Sequence, residues 1–198
     1  MAKPTLTSLL KICGAQDSTE KKVEMLRSHR ENKGFMELLM YTYNPRIHFL
    51  LPQAKPPYTP CKFLDQDEKL YSEVFKLVNF CELHVPLPNG QKRIVQGGPA
   101  TRNPTTGEVT PSMTQLKREQ LFIRMLESVH PEDAVTLCNV KNKTLDIKGL
   151  TERVIRLAFP GWLPEEAEFF KKNKLIMGDE TKKALGIPIG DEGNNESA

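Results

Sequence analysis

The sequence lacks the features that would place the protein in a membrane or on a secretory route. No apolar run comes near the roughly 20 residues that cross a bilayer, and no long apolar segment follows the N-terminal residues Met1–Thr5. The four cysteines are scattered without paired CxxC spacing, so a disulfide framework is not predicted. We therefore expect reduced thiols, no membrane partner and a cytoplasmic location.

Catalytic and metal-binding motifs are also missing. The sequence contains no GxxxxGK, GxGxxG, GxSxG or HExxH pattern. Cys81 and His84 lie three residues apart and could share a helix face, but a structural zinc site needs four ligands. A buried thiol beside a surface histidine is the favoured interpretation. The sequence thus predicts no enzyme, no catalytic residue, no metal and no cofactor.

Charge is present but is unevenly distributed. The formal net charge is +3, and the segment 186–198 contains Asp191, Glu192 and Glu196 but no lysine or arginine. The rest of the chain is therefore more basic than the whole. A basic surface permits a polyanionic partner without requiring one.

Turn residues and apolar spacing predict a mainly α-helical protein. The dipeptide Asn89–Gly90 lies between two short extended runs and predicts a small β-hairpin. The stretch Pro86–Met113 around it is rich in glycine and proline and predicts a long loop. The apolar run Ile47–Leu51 is assigned to the end of the helix before it. Helices are predicted over Thr5–Cys13, Asp17–Asn32, Phe35–Tyr43, Asp65–Leu83, Ser112–Val129, from Pro131, from Thr151, over Pro164–Lys172 and over Asp179–Leu185.

These elements are expected to form one helical domain over residues 1–185. The stretch at about 52–113 is treated as an irregular insertion in that domain. The acidic segment 186–198 is expected to be a disordered tail.

A basic stretch before the helix that starts at Thr151 is the most informative part of the sequence. Lysines precede a glycine and a good N-cap residue, and two arginines follow on the helix. A helix start offers free backbone N–H groups, and lysines around it attract phosphate. The stretch is therefore either a phosphate-binding site or an ordinary capped helix behind a charged, solvated loop. The residues of this candidate site are Lys141, Lys143, Lys148, Gly149, Thr151, Arg153 and Arg156.

Two further features bear on this candidate site. Lys92, Arg93 and Arg102 lie in the Gly/Pro-rich loop and form a candidate second DNA-facing element. Phe159 and Trp162 follow the basic stretch and are expected to pack in the core, which argues against stacking of unpaired bases and favours a duplex backbone.

The segment "REQLFIRMLESVHPEDAVTLCNVKNKTLDIKGLTERVIRLAFPGWLP" (118–164) resembles the helical DNA-binding domain of ATP-dependent DNA ligases of the phage type. The shared features are the helix start Pro131–Glu132, the loop Lys143–Gly149 and the helix end Ala158–Pro160. A weaker likeness covers residues 18–51, and the chain also resembles small proteins of T-even-type tailed phages. The resemblance implies a multi-helix, ligase-like bundle that holds duplex DNA by backbone and phosphate contacts at Lys143, Lys148, Gly149 and Thr151.

The departures from that family limit what the resemblance implies. The ligase nucleophile lies in a Lys-x-Asp-Gly motif, and this sequence contains none. We therefore expect a non-enzymatic, phage-encoded accessory protein that binds duplex or nicked DNA in the cytoplasm of an infected host cell, without strong sequence preference. The alternative is a protein–protein interaction module on the same scaffold, with a phage or host protein as its partner. An enzyme of unrecognised type is a third, less favoured hypothesis.

Overall fold

The computed structural model describes residues 4–62, 67–107, 109–111 and 113–164. Over these residues the protein is mainly helical with a small antiparallel sheet. The predicted helices Pro164–Lys172 and Asp179–Leu185 and the predicted tail 186–198 lie outside the described residues. The α-helices are α1 (Leu6–Gly14), α2 (Thr19–Ser28), α3 (Lys33–Tyr43), α4 (Lys69–Glu73), α5 (Gln115–Ser128), α6 (Pro131–Lys141) and α7 (Glu152–Ala158), and a 3-10 helix spans Val74–Phe80. The strands are β1 (Ile47–Phe49), β2 (Cys81–Pro86), β3 (Lys92–Gln96), β4 (Ala100–Arg102) and β5 (Val109–Pro111).

Short polar residues set most of the helix starts. Thr5 caps α1, Ser18 caps α2 and Thr151 caps α7, and in each case the side-chain oxygen accepts the backbone N–H three residues on. The predicted capping box at Asp17 was one residue early. Asn32 was predicted to end a helix, but its side chain accepts the Phe35 N–H and begins α3. Pro131 occupies the first turn of α6 as predicted.

The core forms where the apolar faces of these helices meet. Leu10 of α1, Leu38 of α3 and Leu137 of α6 are fully buried. Phe80, at the end of the 3-10 helix, packs edge-to-face against Phe122 of α5 with ring centroids 5.3 Å apart. Burial of these side chains is the main favourable term in folding.

The sheet confirms one prediction and overturns another. Strands β2 and β3 form an antiparallel hairpin around Asn89–Gly90, where the Leu87 N–H donates to the Gln91 carbonyl at 2.8 Å. Gly90 has a φ of +80°, which favours glycine at this turn. Residues 47–49, however, form β1 and pair with β2. Asn44–Pro45 ends α3, so the apolar run after it does not continue the helix.

The predicted helix Asp65–Leu83 is also only partly right. From Lys69 the chain follows α4 and then the 3-10 helix, but it becomes strand β2 at Cys81. Leu70, Val74 and Leu77 are fully buried, so helical spacing did identify the core side of this segment. Much of the predicted irregular insertion therefore has regular structure and contributes to the core.

No helix among the described residues is long and apolar enough to cross a membrane.

Candidate nucleic-acid interface

Lys141 is turned inward, and backbone carbonyl oxygens engage its ammonium group. Its side chain is buried at the end of α6, and its Nζ donates to the carbonyl oxygens of Pro52, Gln53 and Ala54 at 2.7, 2.9 and 3.3 Å. Burial lowers the pKa of this ammonium group. The residue predicted to meet a phosphate instead fastens the proline-rich loop after β1 to the helical core.

Lys143 is occupied in the same way. Its Nζ donates to the carbonyl oxygens of Tyr41 and Asn44, each at 2.7 Å, and so satisfies acceptors at the C-terminus of α3. Burial lowers its pKa to about 8. Its backbone φ is +60°, in the left-handed region, which turns the chain out of α6. The prediction that Lys143 contacts phosphate is therefore corrected: its side chain points into the protein.

Arg156 is the third predicted phosphate contact whose side chain is engaged within the protein instead. Its side chain is buried, and its Nε and Nη2 donate to Glu152 Oε1 at 3.0 and 2.8 Å. Its Nη1 donates to the Pro164 carbonyl at 3.3 Å. A buried guanidinium paired in this way stabilises α7 and the turn after it, and these donors are not available to a ligand.

Gly149 is required by close backbone packing. Its φ is +84°, and a Cβ at this position would run into the carbonyl oxygen of Gly14. The reverse also holds, because a Cβ at Gly14 would run into the carbonyl oxygen of Lys148. The backbone group that comes close to Gly149 in the structure is therefore the end of α1.

Thr151 serves as the N-cap of α7. Its Oγ1 accepts the Val154 N–H at 3.4 Å, so the residue ends the loop and begins the helix. The helix that follows has only seven residues, so few peptide dipoles add up at its start. Attraction of an anion to this region must come mainly from lysine side chains.

Those lysines line a groove between the α1–α2 turn and the loop before α7. We call this the basic groove, and no aspartate or glutamate is among the described residues that line it. Lys148 is exposed on one wall, and Lys22 lies over Gly149 on the other, with Nζ 2.9 Å from the position a Cβ would take there. The lining residues are Lys11, Gly14, Ala15, Gln16, Lys22, Ile147, Lys148 and Gly149.

The cations of this groove differ in how they are compensated. Lys11 donates to Glu132 Oε2 at 2.9 Å across the surface. Within the part of the chain that the structure describes, Lys22 and Lys148 have no carboxylate partner. Arg153 is exposed on α7, close to Lys148 in sequence. The uncompensated positive charge therefore belongs to Lys22, Lys148 and Arg153.

Helices α2 and α7 pack side by side and run in the same direction. Lys22 lies over the glycine before α7, while Arg27 donates from Nε to the Ala158 carbonyl at 2.9 Å, at the other end of α7. Sequence reasoning missed Lys22 because it lies far from the basic stretch along the chain. Only the pairing of α2 with α7 brings it there.

The second predicted element is placed only in part. Lys92 and Arg93 lie on β3 with exposed side chains, at the edge of the three-stranded sheet. Arg102 lies on β4, where the backbone alone is described. The sheet that carries Lys92 and Arg93 is a separate element from α2 and α7.

Cys81 and His84 do not share a face. They lie three residues apart on strand β2, so their side chains point to opposite sides of the sheet. His84 instead meets Glu82, with Nε2 2.7 Å from Oε1, and its ring lies 4.0 Å from that of His48. No group of three or more His, Cys, Asp or Glu in the described ranges could hold a metal ion.

Phe159 and Trp162 behave differently from each other. Phe159 is buried as predicted, but Trp162 is only half-buried and packs edge-to-face against it, with centroids 5.6 Å apart. The expectation that both aromatics pack in the core is confirmed for Phe159 and holds in part for Trp162, which packs against the core without being fully buried. Its exposed side borders a cavity near the C-terminal end of α2.

Comparison with known proteins gives no matching family model, no matching curated protein and no similar solved structure.

Proposed function

We propose that the protein binds the phosphate backbone of duplex or nicked DNA through the basic groove, without chemistry of its own. The observation that carries the proposal is the pair Lys22 and Lys148, two lysines of one groove whose lining, among the described residues, contains no aspartate or glutamate. Uncompensated cations in a concave surface raise the local concentration of a polyanion. Arg153 extends the same positive surface along α7.

The proposed contacts replace part of the predicted set. Of that set, Lys148 and Gly149 line the groove together with Lys22, and Arg153 is exposed on the helix that follows. Contacts of this kind position a protein on a duplex and do not read its sequence. The proposal also takes the helical scaffold to resemble that of a ligase DNA-binding domain, which is supported by the sequence segments alone.

A salt series with a short nicked duplex tests the proposal. Each phosphate contact contributes about −0.9 to the slope of log affinity against log salt, so three contacts give a slope of about −3. The Lys22→Glu, Lys148→Glu double variant is expected to lose at least about 100-fold in affinity at low salt while it unfolds at the same urea concentration.

A matched control comes from α5. Lys117 and Arg124 are exposed and lie outside the groove, so Lys117→Glu, Arg124→Glu makes the same change in net charge. Equal loss of affinity in both double variants would show that net charge alone causes the loss, and it would overturn the groove as the binding site. A flat salt response would count against phosphate binding altogether.

The alternative function is binding of another protein, and a different surface favours it. Ile94 and Val95 on the edge strand β3 are 58% and 43% exposed, and Val78 of the 3-10 helix is 46% exposed. An edge strand with apolar side chains can accept an extended peptide as a further strand. If the folded protein does not bind DNA at low salt, this surface becomes the favoured site. Binding of a protein partner would then be compared between the wild type and Ile94→Lys, and the variant is expected to bind more weakly.

A further inference from the structure

The cavity beside Trp162 has the composition of a nucleotide site. It has a volume of about 350 Å³, at the lower end of the roughly 300–1,000 Å³ that is typical of small-molecule pockets. Two guanidinium groups and an indole line it, and no acidic side chain of the described residues does. The lining residues are Arg27, Arg30, Met36, Ala158, Phe159, Pro160 and Trp162.

Arg27 is held in place on one side of this pocket. Its Nε and Nη2 donate to the carbonyl oxygens of Ala158 and Leu157 at 2.9 and 3.1 Å, where α7 leaves acceptors unsatisfied. Its Nη1 takes part in neither bond. A guanidinium fixed by two carbonyls loses little further conformational freedom when it meets an anion.

Arg30 supplies a second cation that the fold does not use. It lies just after α2 with an exposed side chain, and it has no carboxylate partner within the described residues. The two guanidinium groups therefore leave an excess of positive charge at the rim of the pocket. Arginine suits phosphate because its planar fork can donate two parallel hydrogen bonds.

Trp162 provides the apolar wall. The turn Pro160–Gly161 brings the chain back after α7, and Phe159 supports the indole edge-to-face. Trp162 is half-buried, so part of the indole remains accessible in the pocket. Aromatic side chains presented in this way stack on nucleic acid bases without sequence preference.

We infer that this pocket binds one unpaired nucleotide of a nucleic acid strand, with its base against Trp162 and its phosphate at Arg27 and Arg30. In taking the nucleotide to belong to a strand, the inference rests on the proposed DNA-binding function. Lys22 and Arg27 are five residues apart on α2, about 7 Å along the helix axis. A strand held in the basic groove can therefore reach the pocket along the same helix pair.

Intrinsic fluorescence tests the inference directly, because Trp162 is the only tryptophan of the chain. A short 5′-phosphorylated oligothymidylate is titrated into the full-length protein, and a blunt duplex and thymidine monophosphate are titrated in parallel. We expect saturable quenching by the oligothymidylate, weaker quenching by the mononucleotide and little change with the blunt duplex.

Variants separate the pocket from the groove. Arg30→Gln is expected to weaken oligothymidylate binding at least about tenfold, whereas Arg124→Gln, an exposed arginine on α5, leaves it unchanged. Arg30 is preferred to Arg27 because loss of the Arg27 guanidinium would also uncap α7. Trp162→Leu is compared by anisotropy of a labelled oligonucleotide and is expected to weaken binding about tenfold.

The outcomes distinguish this inference from the proposed function. Salt-dependent duplex binding without quenching by the oligothymidylate would overturn the pocket and leave the groove proposal standing. The same holds if Arg30→Gln binds the oligothymidylate as tightly as the wild type does. Quenching by thymidine monophosphate without affinity for any strand would overturn the strand-bound nucleotide proposed here and the groove together. Quenching by the oligothymidylate that survives Lys22→Glu, Lys148→Glu but fails in Arg30→Gln would support the pocket as a site in its own right.

Discussion

Lys143 and Lys148 lie five residues apart and have the same side chain, yet the fold uses them in opposite ways. Lys143 turns inward and satisfies two carbonyls at the end of α3, while Lys148 faces solvent in the basic groove. Lys141 and Arg156 are also buried and form the inward set with Lys143, whereas Lys22 lines the groove and forms the outward set with Lys148. A basic stretch can therefore contain two sets of cations, and acceptors nearby, backbone carbonyls for the lysines and the Glu152 carboxylate for Arg156, decide which set a residue joins.

The largest expected effect comes from Gly149, because a side chain there disturbs both the backbone contact with Gly14 and the basic groove. In Gly149→Ala the new Cβ meets the carbonyl of Gly14 and the φ of +84° is strained. We expect a loss of about 3 kcal/mol in the free energy of unfolding and a loss of duplex affinity. Gly90→Ala is the control, since Gly90 also has a positive φ but its Cβ would meet nothing within 4 Å; equal losses in the two variants would argue against the backbone contact.

Lys141→Met is expected to separate stability from binding. The change removes the donor that holds three carbonyls of the loop after β1. A hydrogen bond to a charged group makes a net contribution of about 1.5–3 kcal/mol. The methionine side chain recovers part of the loss by apolar burial, so we expect about 2–3 kcal/mol less stability in urea denaturation. Duplex affinity measured well below the midpoint should stay within about twofold. A large fall in affinity of the folded variant would return Lys141 to the binding surface.

Lys143→Met sharpens the comparison through its dependence on pH. The folded pKa of about 8 lies below the ordinary value of 10.5, so between these values the unfolded chain binds a proton that the folded chain does not. The stability of the wild type relative to the variant therefore rises as pH increases through this window and is lost as pH falls towards 8. Urea denaturation at pH 7.5 and pH 9.5 measures the difference.

Titration of other groups does not disturb that comparison. The nearest other titrating group that interacts with Lys143 is the Cys81 thiol, whose pKa burial raises to about 12. This thiol therefore stays protonated in both folded proteins up to pH 9.5, and its titration in the unfolded chain is common to both and cancels in the difference. A wild-type advantage that shrinks from pH 7.5 to pH 9.5 would contradict a depressed pKa at Lys143.

Lys148→Gln tests the outward set with a smaller change. Loss of one phosphate contact reduces the salt slope by about 1 and costs about 1 kcal/mol of affinity at low salt, with stability within about 0.5 kcal/mol of the wild type. Fluorescence anisotropy of a labelled duplex at several salt concentrations gives both numbers. An unchanged slope would remove Lys148 from the interface.

The smallest effect is expected at the sheet. Lys92→Gln, Arg93→Gln removes two exposed cations on β3, which is separate from α2 and α7. Because exposed charges beyond about 10 Å are largely screened at 0.1 M salt, we expect duplex affinity to stay within about twofold. A loss as large as that of Lys148→Gln would show that the sheet is a second DNA-facing element after all.

Local signals predicted more of the fold than of the site. The cap at Thr151, Pro131 in the first turn of α6 and the hairpin at Asn89–Gly90 depend on neighbouring residues, and all three are confirmed. Strand β1 could not be found from its apolar run, because only pairing with β2 distinguishes it from a helix end.

The site depends on contacts between distant segments. The sequence near Lys143 gives no sign that the carbonyls of Tyr41 and Asn44 lie within its reach. Likewise Lys22 joins Lys148 only because α2 packs against α7. Residue types predicted a basic region correctly, but which ammonium groups remain available is a property of tertiary packing.

The contact between Gly14 and Gly149 has a consequence for folding. Both walls of the basic groove come from segments near opposite ends of the described chain, and contacts between residues so far apart in sequence carry a high loop-closure cost. The groove is therefore among the features that form late, and a partly folded chain with α1 and α2 already helical would not yet possess it. Affinity for a polyanion would then report the completion of folding, and premature capture of nucleic acid by a nascent chain would be avoided.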